Sequence, residues 1–514
     1  MSSAMALLPA PSALTLGLTL FAAPSAALVI HVPGDQPTIQ AGINAAQPGD
    51  MVLVAPGTYS GAGNINLDFL GKNIAVVSEG GPAATTIDVQ LAGGGFHLQS
   101  NLPATARVEG FTIKNATTYG LLVTECAPTI RNCIFTGNAP AGARAYDPTS
   151  SSSPVAAFED CIFSANNGNG FQSIGHRVQV NRCRFEDNTG RGIDHNNDAF
   201  NAGSGTYTDC VIRSNDAGGI LFNPGFTGGT FIRCEITDHT TDLGGAGVRD
   251  VSFEGTPIFE NCLFARNHSS NGNGGGALMA GDDGSQFTGC RFEDNSARNG
   301  GGLYYGYSLH SRPDVPVSGC QFVNNTATET AGGLFFTPIL SPSGTSSATG
   351  NLFWNNSAGQ RGGAVVLGGE FPTVLGSSTL VGNSAPDGAG VFAAFTGSNR
   401  FTIDRTIIAF SSGGSALVCE TAAFAPNVVC SDFFGNAGGD WTGCIAGEFG
   451  VDGNIAADPQ FCDATNGDFH LLGTSPCAPQ QSGTCGLIGA FDPTCGATPV
   501  QPATWGSIKA TYRR

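Results

Sequence analysis

Apolar and polar positions in this chain recur every 22 to 31 residues instead of following one long helical or extended period. One unit reads Cys290-Arg-Phe-Glu-Asp-Asn and then Gly300-Gly301-Gly302-Leu303. The next reads Cys320-Gln-Phe-Val-Asn-Asn and then Gly332-Gly333-Leu334, and the same pattern starts at Cys183 and Cys262. Aligned on these, Gly110, Cys133, Cys161, Cys210, Cys234, Asn351, Ser378 and Thr406 take the first position, giving twelve units. The first position is Cys in eight of them. Two residues on it is Phe, Ile or Leu in eleven, with Thr112 the exception, and five residues on it is Asn in ten, from Asn115 to Asn383.

Residues i and i+2 share a face of a strand, so the Cys and Phe columns both point into the core. Asn tolerates left-handed backbone, and stacked Asn amides can bond from one strand to the next. A Gly-Gly pair lets the chain turn sharply before another strand. Units this short have no room for a βαβ crossover, and a propeller blade needs about 40 residues. The pattern therefore predicts an all-β solenoid, a right-handed parallel β-helix with three short strands per coil. Twelve coils and a few preceding ones, stacked about 4.8 Å apart, make a rod roughly 70 Å long. Stretches such as 139–154 read as protruding loops.

An open solenoid needs covered ends. Residues 37–46 read as an amphipathic capping helix, with Ile39, Ile43 and Ala46 on one side and Pro37 in its first turn. Met51 to Ala55 then forms a strand. The expected organisation is a signal peptide over 1–27, an N-terminal cap and first coils over 28–109, repeats over 110–415, a Cys-rich cap over 416–496, and a linker with a basic tail over 497–514. Leu14 to Ala23 supplies the apolar stretch of the signal peptide and Ser25-Ala26-Ala27 its cleavage site, which predicts a secreted or cell-surface protein.

Charge changes the picture of partners. The net charge of −18 argues against nucleic acid and against anionic membrane surfaces. It also disfavours a polyanionic sugar unless calcium bridges the two. No segment after the leader is long and apolar enough to span a bilayer. The 16 cysteines include no CxxC pair, which leaves a zinc ribbon or thioredoxin motif without support. The eight ladder cysteines, Cys133 to Cys320, are expected to be buried and reduced, because in-register parallel side chains suit disulfide torsion poorly and later coils replace Cys with Asn, Ser and Thr. Seven more, from Cys419 to Cys495, lie in turn-rich sequence and are expected to be mostly paired. Cys419–Cys430, Cys462–Cys477 and Cys485–Cys495 are the nearest-neighbour pairings, with Cys444 left over.

Two resemblances sharpen the fold. Val32 to Ala41, Ala45 to Asp50, Val52 to Tyr59 and Gly71 to Ile74 resemble the opening of pectin-lyase-like β-helix proteins. The Phe-x-x-Asn element followed by Gly-Gly resembles the repeat of chlamydial polymorphic outer membrane proteins, which implies surface display and adhesion. Asp458 to Phe461 and Gly467 to Leu471 resemble the closing coil of secreted bacterial β-helix proteins.

Two clusters could carry function. Arg191, Asp194 and His195 sit just after a glycine turn, with Arg249 and Asp250, then Asp282 and Asp283, in stacked coils. Asp and His together can supply general acid and base, and the further carboxylates could hold calcium, as a polysaccharide lyase or epimerase would require. The same residue types also build solenoid turns. The second cluster is aromatic: alternation sends one ring of Tyr304-Tyr305 and one of Phe335-Phe336 outward, where Tyr304 and Phe335 could stack on sugar faces. The favoured reading is a non-catalytic, adhesion-like or glycan-contacting protein, with the lyase or epimerase as alternative.

Overall fold

The computed structural model describes residues 27–147, 155–196, 204–224, 228–252, 255–281, 284–306, 316–337, 346–369, 373–394, 401–422 and 425–495. Residues 1–26 of the expected signal peptide, the basic tail, and Asp282 and Asp283 lie outside the described residues. The chain winds as a right-handed parallel β-helix. Among the described residues one coil contributes a strand to each of three parallel sheets. The first sheet runs from Val29–Val32 to Asn427–Val429, the second from Gly57–Tyr59 to Asp432–Phe434, and the third from Leu67–Asp68 to Leu417–Cys419. From Thr240–Thr241 onward each coil adds a short strand between the second and third sheets, ending at Ser412–Gly413. This fourth ladder was not anticipated from the repeat.

The columns follow from strand register. Phe264, Phe292, Phe322 and Phe353 pair coil to coil in the second sheet. Their rings stack at 4.5, 4.8 and 4.7 Å. Phe231, Phe259 and Phe287 form a parallel stack from the first sheet. The alignment of the first unit shifts by one residue. Phe135 pairs with Ile113, so Ile113 fills the aromatic row that Thr112 seemed to break. Asn115 then falls at a corner and Ala116 in the Asn row.

Each corner has its own donor. At the corner between first and second sheets, Cys161 Sγ donates to the carbonyls of Glu159 and Ile130, at 3.3 and 3.6 Å. Asn351, Ser378 and Thr406 make equivalent bonds in later coils. The eight ladder thiols are free and buried, as expected. Their column selects small hydrogen-bond donors as well as small volume. Cys126, which belongs to neither sequence set, is also buried and free.

At the second corner, Asn166 Nδ2 donates to Phe135 O at 3.1 Å and to Asn188 Oδ1 at 2.8 Å, and the same link repeats along the ladder. These amides are not themselves in left-handed backbone; the residue before each one is, as at Asp187 (φ 56°) and Asp294 (φ 54°). Most third-sheet strands open with a glycine that faces this ladder, and Ala364 and Ala416 take its place in two late coils. A Cβ on Gly302 would lie 2.7 Å from Gly333 O and 3.2 Å from Asn325 Cγ. The Asn and Gly-Gly signatures are thus two sides of one contact.

The N-terminal helix spans Ile39–Ala45, capped by Thr38, whose Oγ1 accepts Ala41 N–H at 3.2 Å. Pro37 precedes the cap instead of sitting in the first turn. At the other end, Trp441 stacks on Phe433 at 4.3 Å and buried Ile445 closes the core. The chain then doubles back along the outside of the second sheet. An antiparallel hairpin, Phe461–Asp463 with Asp468–Leu471, replaces the expected closing coil. Its Phe469 packs with Leu352, Val381 and Trp354.

The nearest-neighbour disulfide pairings are corrected. The bonds are Cys419–Cys444, Cys430–Cys485 and Cys462–Cys495, and Cys477, not Cys444, is the free thiol. Folding back brings cysteines together across 25 to 55 residues, which spacing alone does not reveal.

Candidate binding face on the third sheet

Strand alternation decides which sequence candidates meet. In the strand Ile193–Asn196, Asp194 points outward and His195 inward. His195 is fully buried, its Nε2 bonded to Tyr207 Oη at 2.9 Å and its ring stacked on Phe222 at 5.4 Å. Burial pushes its pKa down to about 3, so it is a neutral core residue. Arg249 and Asp250 divide in the same way. Asp250 is buried, accepts hydrogen bonds from Ser252 and Ser285, and is pushed up to about 6 by burial. The Asp–His pair is therefore split between two faces of one strand.

The outward column is continuous. Pairing links Arg144 to Gln172, Gln172 to Asp194, Asp194 to Leu221 and Leu221 to Arg249. It continues through Leu278 to Tyr304 and Phe335. Asp194 Oδ1 accepts Asn223 Nδ2 at 2.8 Å, and Oδ2 accepts Asn169 Nδ2 at 3.1 Å and Gln172 Nε2 at 3.3 Å. Burial raises its pKa, opposed by these amides and by the charge of Arg191. Arg191 is only 7% exposed, and burial together with the charge of Arg249 lowers its pKa to about 10.

Arg144 escaped the sequence reading, which placed it in a loop. Residues Ala141–Tyr146 are a third-sheet strand. Arg144 Nη1 donates to Tyr119 Oη at 2.7 Å, and its guanidinium lies 4.9 Å from the Tyr146 ring centroid. The alternation of Ala143, Arg144 and Ala145 was the available signal.

Tyr304 and Phe335 do face outward, with Tyr305 and Phe336 buried behind them. Their rings are parallel, with centroids 4.4 Å apart in adjacent coils. The faces therefore turn along the solenoid axis toward each other, and the stripe offers edges where a flat stacking platform was expected. Among the described residues no three His, Cys, Asp or Glu side chains are grouped to hold a metal ion. No helix among them is long and apolar enough to cross a membrane.

Comparison with known proteins bears on the fold. Residues 96–264 match the family model of the right handed beta helix region. No curated protein sequence matches the chain. Solved structures with a similar course include tailspike protein 3 of bacteriophage CBA120, at 10% identity and a TM-score of 0.36, covering 78% of this chain and 61% of the tailspike. Pectate lyase Pel9A is 12% identical over 91% of this chain and 97% of the lyase, with a TM-score of 0.26. PfbA, a surface adhesin of Streptococcus pneumoniae, is 11% identical over 78% of this chain and 87% of the adhesin, with a TM-score of 0.33. Likeness at this level carries no argument about what this chain does.

Proposed function

We propose that this is an extracellular or cell-surface protein that binds a glycan along the outer face of its third sheet and does not cleave it. The observation that supports this is the outward column itself. Arg144, Gln172, Asp194 and Arg249, which can hydrogen-bond sugar hydroxyls, lie along it with Leu221 among them, and beyond Leu278 they give way to ring edges at Tyr304 and Phe335. The outer face of the first sheet is plainer at the same level, with Gln179, Thr206 and Thr230. Catalysis by the Asp194–His195 pair lacks support, because a general acid and base must reach one substrate bond together. His195 lies in the core, and three amides already hold the Asp194 carboxylate.

A glycan array with the secreted chain tests the reading. Binding is expected, weakened by the double change Tyr304→Ala and Phe335→Ala, with no release of reducing or unsaturated ends from any bound polysaccharide. Turnover that disappears in Asp194→Asn would install the lyase or epimerase reading instead.

A further inference from the structure

Among the described residues, Ala27 is exposed and Leu28 is the first whose backbone is held. Leu28 N–H donates to Asp50 Oδ1 at 2.8 Å, and Leu28 O accepts Met51 N–H at 2.9 Å. The strand Val29–Val32 follows at once and pairs in parallel with Met51–Val54, at the N-terminal edge of the first sheet.

Asp50 is buried, and both of its carboxylate oxygens are engaged. Oδ2 accepts Gln47 N–H at 2.8 Å, and Asp50 N–H donates to Gln47 O at 3.0 Å, which closes the turn after the capping helix. Asp50 O accepts Ala75 N–H at 3.1 Å from the next coil. The N–H groups of Gln47 and Leu28 hold the carboxylate below its ordinary range, so it is charged at neutral pH. Among the described residues no side-chain cation shares in this stabilisation. A buried carboxylate of this kind is best completed by a positive charge delivered to the same place.

The sequence puts a cut at this point. Ser25-Ala26-Ala27 carries the small residues that a leader peptidase accepts at the end of an apolar stretch. We infer that the peptide bond between Ala27 and Leu28 is a processing site and that Asp50 is the receptor for the α-ammonium group its hydrolysis creates. Water adds across the bond under a peptidase of the export route. The acyl carbon of Ala27 leaves with the leader as a carboxylate, and the nitrogen of Leu28 becomes the ammonium; no oxidant or reductant takes part. The contact to Asp50 Oδ1 then changes from N–H···O⁻ to N⁺–H···O⁻ at the 2.8 Å separation already in place, a stronger, charge-assisted bond. The position is specific. A cut one residue later would remove the carbonyl that holds Met51, and a cut one residue earlier would put the charge on exposed Ala27. Processing therefore pins the N-terminal cap, because one carboxylate joins the start of the chain, the turn after the helix and the second strand of the first sheet. The site is independent of the glycan-binding reading.

The test starts from the full-length chain expressed with its leader and exported. Its N-terminal peptide is expected to begin at Leu28 by mass spectrometry; a retained leader or a start at any other residue would overturn the inference. The α-amine is then acylated near neutral pH with an active ester and followed at the same peptide. A protonated amine does not acylate, so the wild-type amine should react about ten-fold more slowly than that of Asp50→Asn, the factor for one unit of pKa. Equal rates would overturn the pairing. Hydrogen exchange separates the ion pair from the tie between Asp50 and Gln47, since acylation removes the charge and keeps an N–H. Acylation should speed exchange across Val29–Val32 about five-fold in the wild type and leave Asp50→Asn unaffected. The same acceleration in both proteins, or none in the wild type, would show that no ion pair forms. If Asp50→Asn does not fold, a peptide of residues 28–32, which lacks the carboxylate, replaces it as the reference for the acylation rate, and the same ten-fold difference is expected.

Discussion

At the scale of single residues, the coil is turned by one left-handed residue and one buried donor at each of two corners. Few of the left-handed residues need to be glycine. Asp160 (φ 55°) and Arg182 (φ 53°) occupy the same corner in successive coils and pair with each other, Arg182 Nε lying 2.7 Å from Asp160 Oδ1. Asp209 with Arg233 and Asp238 with Arg266 repeat the arrangement. These pairs are half-exposed, so each contributes less than about 1 kcal/mol. The buried donors matter more. His239 replaces Asn in the ladder, accepting Asn215 Nδ2 at 3.2 Å through Nε2 and donating Nδ1–H to Asn267 Oδ1 at 2.9 Å. Both roles require the neutral ring, and burial lowers its pKa from 6.5 to about 4. The unfolded chain takes up a proton near pH 6.5 and the folded one does not until about pH 4. Stability from this residue is therefore complete above pH 6.5 and lost as pH falls through that window. Replacing His239 with Asn should remove the dependence. Wild-type stability relative to the variant should fall by about 3 kcal/mol between pH 7 and pH 4, as denaturant titrations at each pH would show. A difference independent of pH would mean that the histidine takes up its proton as readily in the fold as in the unfolded chain.

At the scale of strands and coils, stability is built from neighbours. Third-sheet glycines such as Gly276 and Gly302 lie against the Asn amide of the following coil, and second-sheet rings such as Phe292 lie between the rings above and below. Phe292 is fully buried, with Phe264 at 4.5 Å and Phe322 at 4.8 Å. Phe292→Ala should cost about 3–5 kcal/mol, because it opens a ring-sized cavity that the flanking coils cannot fill. In a solenoid each coil touches mainly its neighbours, so the loss should be local. Hydrogen exchange is expected to rise in strands from Leu263–Ala265 to Gln321–Val323 and to stay unchanged near Phe135 and Leu380. Uniform acceleration along the rod would show that the coils unfold as one cooperative body.

At the scale of the whole molecule, the C-terminal segment serves as both plug and brace. Trp441 and Ile445 close the end, while the later hairpin covers the outside of the last coils of the second sheet. Gly489 N donates to Arg405 O at 2.8 Å and Ala490 N to Thr379 Oγ1 at 2.9 Å, so this segment reaches back past two coils. Cys430–Cys485 fastens it to the last coil and Cys462–Cys495 crosslinks it internally, closing 55- and 33-residue separations. Crosslinks over such lengths each stabilise by roughly 2–4 kcal/mol. Mild reduction should therefore loosen the brace before the rod. Exchange is expected to rise across 461–495 while the coils from Cys262 to Phe322 keep their protection and their buried thiols stay unlabelled. Labelling of the ladder cysteines under the same conditions would contradict this order.

Much of this architecture was legible in one sequence because a repeat states each rule many times. Cys, Phe and Asn at fixed offsets set the inward face, and their recurrence gave the coil length and the reduced state of the ladder. The same sequence also hinted at the brace: Leu352-Phe353-Trp354 and Ile407-Ile408-Ala409 are apolar on both faces of a strand, which calls for cover on the outer side. Tertiary structure alone decided the rest. Whether the Asp194 face or the His195 face is the outer one depends on register, since one residue of shift exchanges the two faces of a strand. The candidate face thus lost the histidine that is next in sequence and gained Arg144, Asn169 and Asn223 from other coils. Disulfide partners were set by where the chain folds back, and contacts across 25 to 55 residues leave no mark in the spacing of cysteines. Local pattern fixes which way a side chain points along its own strand; only stacking fixes what it meets there.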